Sequence, residues 1–162
     1  MIIRPETTGD HQAIFELTKA AFAPMPFGDD NDAYLTGNLR DAGDLILSLV
    51  ADDDGVIGHV AFSSVTINAP GRWIGLGPIS VTIDRQRQGI GSALVAEGLA
   101  QVKDLGFDGC VLIGNPSVYG PMGFVSGDIT YRDLAPKLVQ WHSLTGLKPQ
   151  GEILFAPALE QA

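Results

Sequence analysis

The sequence predicts an α/β domain on a mixed sheet, and three observations carry that reading. Short β-branched runs alternate with stretches of helical apolar spacing, the second half holds a strand, a turn, a helix and a further strand in succession, and that turn is rich in glycine. A crossover of this kind makes the strand near Ile79 and the strand near Val111 parallel neighbours. With 162 residues, 45% of them hydrophobic, the chain suffices for one domain with a real core and is short for two, so residues 1–162 are read as one domain.

Ile2 and Ile3 predict a short first strand before Arg4 and Pro5. Thr8 or Asp10 then caps a helix in which Ile14, Leu17 and Ala21 recur at helical intervals and which ends near Phe22. Residues Ala23 to Asp30 are dense in helix breakers and read as a loop, a kind of segment that often borders pockets, ahead of a short helix from Asp32 to Asp41. Leu45 to Ala51 and Val56 to Ile67 form a hairpin whose turn, Asp52-Asp53-Asp54-Gly55, is expected to be simply solvated. Trp73 to Ile83 supplies another strand, in which Gly75, Gly77 and Pro78 mark a bulge or a place where pairing is given up. From Ile90, the residues Leu94, Val95, Gly98, Leu99, Val102 and Leu105 step by three and four until Gly106 terminates the helix. Cys110 to Ile113 suits a buried central strand, and two later strands are expected at Lys137 to Ser143 and Glu152 to Phe155.

A formal net charge of -9 argues against nucleic-acid or anionic-membrane partners, which need excess cations, and suits a cationic small substrate. One cysteine, Cys110, precludes an intramolecular disulfide and fits a reducing, cytoplasmic setting. The N-terminal residues lack the pattern of a signal peptide, and no apolar run is long enough to span a bilayer.

The most informative segment runs from Ile79 to Ser92. It is a strand entering a glycine-rich turn that opens a helix, and unpaired N–H groups at a helix start form an anion site. Gly89 and Gly91 let a polyanion approach the backbone, and Arg85 and Arg87 place two of the ten basic residues beside it. A diphosphate is the ligand this arrangement suggests. A Rossmann turn is excluded because Leu94 stands where a third glycine belongs, and a Walker turn because no Gly-Lys-Ser/Thr follows.

Gln86-Arg87-Gln88-Gly89-Ile90-Gly91 resembles the Q/R-x-x-G-x-G/A motif of the GNAT superfamily of acetyl-CoA-dependent N-acyltransferases. The next motif of that superfamily is also matched, in Asn115, Tyr119 and the pair Gly123-Phe124. Gly58 to Ser63, Leu76 to Val81 and Leu112 to Pro116 are similar to a bacterial branch of the same superfamily. The resemblance spans most of the chain. It implies a three-layer α/β domain with helices on both faces of a mixed sheet that splays at the cofactor site. Its implied activity is transfer of an acetyl group from acetyl-CoA to a primary amine, carried by a small molecule or by a protein. A catalytically weak acyl-CoA sensor of the same fold is the alternative, and the late strands offer a surface for a homodimer.

The resemblance implies that the backbone of Ile79, Ser80 and Val81 pairs with the pantetheine arm. It assigns the pyrophosphate to the turn from Gln86 through Arg87, Gln88, Gly89, Ile90 and Gly91 to Ser92, with Arg85 or Arg87 adding a charge, and a cofactor contact or loop-organising role to Asn115. Tyr119, a phenol with an ordinary pKa near ~10, is expected to protonate the departing thiolate. Two features depart from the superfamily. Ile83 stands where many members carry proline, and Trp73 to Val81 contains no glutamate to act as base. His59 is the candidate base, with a water chain as the other route. No His, Cys or carboxylate cluster suggests a metal, and Cys110 reads as a core residue.

Overall fold

A computed structural model describes residues 1–26, 28–29 and 31–160. Phe27 and Asp30, in the loop expected at Ala23 to Asp30, lie outside the described residues. β1 (Ile2–Pro5) leads through a short 3-10 turn into α1 (His11–Phe22). Asp10, one of the two expected caps, is the N-cap residue of α1, but its carboxylate accepts the Thr7 N–H at 2.7 Å and so closes the preceding turn, which starts at Thr7. Arg4 grips that carboxylate at 2.7 and 3.0 Å and also donates to Asp52 at 3.1 and 3.2 Å. One guanidinium thus ties β1 and the start of α1 to the end of β2 (Leu45–Asp52).

Asp52 is therefore paired, and Asp53 accepts Arg85 at 2.8 Å, which corrects the expectation of a merely solvated acidic turn. The Arg85 guanidinium holds the Asp53 carboxyl below its ordinary range. α2 (Leu35–Asp41) follows a 3-10 turn at Asp32–Tyr34, and β2 forms the expected hairpin with β3 (Val56–Ile67).

β4 (Trp73–Val81) is antiparallel to β3 and ends two residues earlier than expected, because the Arg85 N–H bonds the Thr82 carbonyl and starts a tight turn at Ile83–Arg85. Val60 pairs with Ile79 but Phe62 with Leu76, so Gly77 and Pro78 together oppose Ala61, the bulge that glycine and proline foretell. The chain then forms α3 (Ile90–Asp104), β5 (Gly109–Ile113), a one-turn α4 (Pro116–Tyr119), two-residue strands β6 (Val125–Ser126) and β7 (Ile129–Thr130), β8 (Val139–Ser143), β9 (Gly151–Phe155) and a short α5 (Pro157–Glu160). Strand order is β1-β2-β3-β4-β5-β8-β6, while β9 pairs with the far end of β3 and β7 with β9.

Alternation along the strands separates two cores. One face presents Leu49, Ala51, Val60, Phe62 and Ile74 to Leu94, Val95 and Val102 of α3. Gly98 belongs to this contact, since a Cβ there would enter the Phe62 ring. α1 packs over β3 and β4 from the other face, where Trp73, Val111, Tyr131, Ile153 and Phe155 form the second cluster. Cys110 is fully buried in the α3-side core, and burial pushes its thiol pKa far above the ordinary value, as suits a packing residue. No helix among the described residues is long and apolar enough to cross a membrane.

One defect in the sheet positions the site. β4 and β5 run parallel as expected, but pair only through Trp73, Ile74 and Gly75 with Gly109, Cys110 and Val111. Past that point β4 keeps only β3, and β5 keeps only β8. The two strands diverge into a wedge whose walls carry unpaired backbone groups.

Candidate active site

A groove of about 330 Å³ lies on the wedge where β4 meets the start of α3. Ile79, Ser80 and Val81 form its strand wall, and Arg85, Gln86, Arg87 and Gly89 its turn. Gly89 has φ +85°, the left-handed conformation that favours glycine, and a Cβ there would project into open space. Arg87 holds φ +63° without that freedom, a strain of about 1 kcal/mol at the turn. The first helical bond of α3 runs from Ala93 N–H to the Gly89 carbonyl at 3.0 Å, so the N–H groups of Ile90, Gly91 and Ser92 have no helical acceptor. All three residues line the groove. Their donors, the positive end of a fifteen-residue helix and Arg87 suit a polyanion, while the Arg85 guanidinium is held by Asp53.

The opposite wall comes from the chain after β5. The Asn115 side chain accepts the Ser117 N–H at 2.9 Å, and Pro116 occupies the first helical position, so α4 starts where the sequence places a turn. One turn later Tyr119 faces the groove, half-buried, with its ring edge-on to Phe124 at 6.1 Å between centroids. Burial raises the phenol pKa above its ordinary value, keeping it protonated across the neutral range. Gly114 fixes the ring's position, because a Cβ there would lie 2.5 and 2.9 Å from two of its carbons. Gly114→Ala is expected to displace Tyr119 and lower turnover about tenfold with the fold retained, checked by steady-state kinetics beside a melting curve.

The structure thus gathers Tyr119, Ile79, Ser80, Val81, Gln86, Arg87, Gly89, Ile90, Gly91 and Ser92 around one groove. Gln88 and Asn115 do not line it. The Gln88 amide points back to the Asp84 carbonyl at 3.5 Å, and the Asn115 carboxamide is occupied by its cap. Met25, Val118 and Met122 join the lining without having been expected there. Met25 sits in the proline-flanked loop that from sequence reads first as a plain connector and second as a pocket border, and Val118 and Met122 are four apart around Tyr119, the signal of a shared face.

His59 also lies outside the lining, behind Ser80, its cross-strand partner. It is fully buried, and its Nε2 lies 2.8 Å from the Ser48 hydroxyl. Neither its Nδ1 nor the Ser80 hydroxyl has a partner among the described residues. Beyond Ser48 stands Glu6, held by Arg40 at 2.9 and 3.0 Å and by His11 at 2.9 Å. Burial lowers the His59 pKa to about 4. The unfolded chain therefore binds a proton at this residue below about pH 6.5 that the folded chain refuses until about pH 4. Stability falls as pH drops through that window, by about 3 kcal/mol at its lower end, and is untouched above it. His59→Gln is expected to remove this part of the slope in denaturant unfolding measured from pH 7 to pH 4.

A second cavity, of about 570 Å³, opens further along the same wedge. Leu76, Gly77 and Pro78 of β4 and Ile113 of β5 form one side, and Tyr131 to Leu134, Phe155 and Leu159 the other. Pro78 of this cavity and Ile79 of the groove are consecutive residues of β4.

Comparison with known proteins agrees with this geometry. The profile described as the acetyltransferase (GNAT) family matches residues 11–119. The N-acetyltransferase YhbS of Escherichia coli strain K12 is 38% identical over 127 residues, which cover 76% of this chain and 73% of that protein. Among solved structures, a GNAT family acetyltransferase from Brucella melitensis in complex with acetyl-CoA is 38% identical, superposes with a TM-score of 0.84 and covers 98% of this chain and 97% of its own. The YhbS structure from Escherichia coli in complex with CoA is 31% identical, with a TM-score of 0.87, and covers 98% of this chain and 91% of its own. A wedge between two parallel strands, an anion cradle at its mouth and relatives this similar over nearly the whole chain lead to one conclusion: the protein belongs to the GNAT family of acetyltransferases.

Proposed function

We propose that this protein transfers an acetyl group from acetyl-CoA to a primary amine by direct attack, and that the groove beside β4 is where it holds the donor. The observation that carries the reading is the continuity of three features: the edge of β4 at Ile79–Val81, free of any strand and with its Val81 carbonyl taken by the Gln86 amide at 3.0 Å, the unpaired N–H groups at the start of α3, and Tyr119 on the facing wall. They fit an elongated ligand with amide groups along its arm and a diphosphate at its end. The bound donor supplies an acetyl group activated as a thioester.

The chain's own residues do the rest. The N–H groups of Ile90, Gly91 and Ser92 bind the phosphate charge, and the edge of β4 orients the arm as an added strand. Tyr119 donates its phenolic proton to the departing sulfur, a role supported by a pKa raised by burial. Asn115 and Gly114 hold Tyr119 in place.

The attacking nitrogen must lose a proton, and β4 offers no carboxylate. Ser80, the buried His59 and Ser48 lie in succession on the face away from α3, with the Ser48 hydroxyl 2.8 Å from His59 Nε2. A pKa near 4 makes His59 a poor final acceptor but leaves it neutral. Its Nδ1 and the Ser80 hydroxyl have no partner among the described residues, so the amine's proton leaves through water in the open groove. His59→Gln keeps a polar group beside Ser48 and is expected to leave turnover and acetyl-CoA affinity within twofold, checked by steady-state kinetics beside calorimetry.

Titrating acetyl-CoA into the protein by calorimetry, then following thiol release over an amine panel, tests the reading. Saturable binding with amine-dependent thiol release supports it. Binding with thiol release never above background turns the reading toward a sensor, and absence of binding removes it.

A further inference from the structure

We propose that the second cavity is the acceptor pocket and that it selects a monoamine carried on an apolar body, aliphatic or aromatic, over polyamines, amino acids and peptide termini. This deepens the transferase reading above and rests on it. The cavity opens on the same wedge as the groove and shares β4 with it, so an amine seated against Leu76, Gly77 and Pro78 lies next to the strand that orients the donor.

Its walls decide the class. Leu76, Pro78, Ile113, Leu134, Phe155 and Leu159 are apolar, and Pro78 has no N–H to offer. The polar groups nearby are engaged with α5. Glu160 receives the Phe155 N–H at 3.3 Å and hydrogen-bonds the Tyr131 side chain, while Arg132 donates to the Glu160 carbonyl at 3.0 Å and lies 4.0 Å from its carboxylate. A peptide or polyamine seated here brings more amide or ammonium groups than one rim carboxylate and the free backbone of β4 receive, and each one left unpaired costs about 1–3 kcal/mol.

One charge is left over. Asp133 lines the cavity and forms no ion pair among the described residues, whereas Arg132 is neutralised by Glu160. A carboxylate beside the amine, as in an amino acid, meets Asp133 with like charge. The volume of about 570 Å³ lies within the range of small-molecule sites and accommodates a body the size of a phenylethyl or hexyl group.

The test is a steady-state comparison of 2-phenylethylamine and hexylamine with spermidine, glycine and a short peptide, using the native chain and Leu134→Glu. Leu134 is 40% exposed, so its replacement leaves the core intact. The expected result is a kcat/KM for the two apolar monoamines at least tenfold above the other three, and a tenfold or greater loss of it in Leu134→Glu with acetyl-CoA affinity unchanged by calorimetry. Equal or reversed preference overturns the proposal, as does indifference to Leu134→Glu. So does acetyl-CoA binding without turnover of either apolar monoamine, and that outcome leaves the donor site standing. Failure to bind acetyl-CoA strikes the transferase reading itself.

Discussion

Replacing Tyr119 with phenylalanine should lower turnover about 100-fold or more while leaving acetyl-CoA affinity within twofold. General acid catalysis by a positioned side chain contributes roughly 10²–10⁴ in rate. The variant removes the hydroxyl alone. The ring keeps its seat on Gly114 and its edge contact with Phe124, so neither α4 nor the groove wall has reason to move. Burial holds the phenol pKa above its ordinary value of about 10, so no alkaline fall in rate from this group is expected below that pH in the native enzyme. Acetyl-CoA titration by calorimetry and turnover by thiol release separate the two effects. Turnover equal to that of the native chain would remove Tyr119 from the chemistry.

The second large effect is expected at the anion cradle. Gly89→Glu with Gly91→Glu places bulk and two negative charges where the phosphates are proposed to sit, and acetyl-CoA binding should weaken more than 100-fold. That is about 2.7 kcal/mol. The two positions differ in what they ask of the fold. Gly89 has φ +85°, so any side chain there is strained. Gly91 lies within α3, and a Cβ there meets only Ile79 and Val81, at 3.8 and 3.9 Å, which is ordinary contact. Gly91→Glu alone should therefore melt close to the native chain and still lose at least tenfold in affinity. Undiminished binding in a folded double variant would place the phosphates elsewhere.

Much of this site was legible before any coordinates. Glycines and a proline inside a β-branched run announced that β4 would give up pairing, and Gly89 and Gly91 ahead of a periodic apolar run announced the cradle. These are local signals, written in residues a few positions apart. What escaped the sequence depends on residues far apart. Arg85 is matched with Asp53 from a turn 32 positions away, and Met25 reaches the groove from the loop after α1. The enclosure of His59 is set by Ser48 and by strands packed on both sides, which no strand pattern reveals. The two-residue strands β6 and β7 are too short to leave a periodic signature, and α4 announced itself only as the turn at Asn115-Pro116.

The brief pairing of β4 with β5 has a mechanical consequence. The sheet is two slabs, β1 to β4 on one side and β5, β8 and β6 on the other, sewn together by a short ladder at Trp73, Ile74 and Gly75 and the neighbouring bond from the Asp108 N–H to the Arg72 carbonyl, and strapped by α3. At the seam Gly109 has no room for a side chain, since a Cβ there would enter the Trp73 ring, so the stitch is drawn tight at one end and left open at the other. Separation of the slabs meets least resistance along the open length, where no ladder bonds have to break. On the proposed reading, a strand-like guest inserted there would act as a keystone, bridging the open length of the seam.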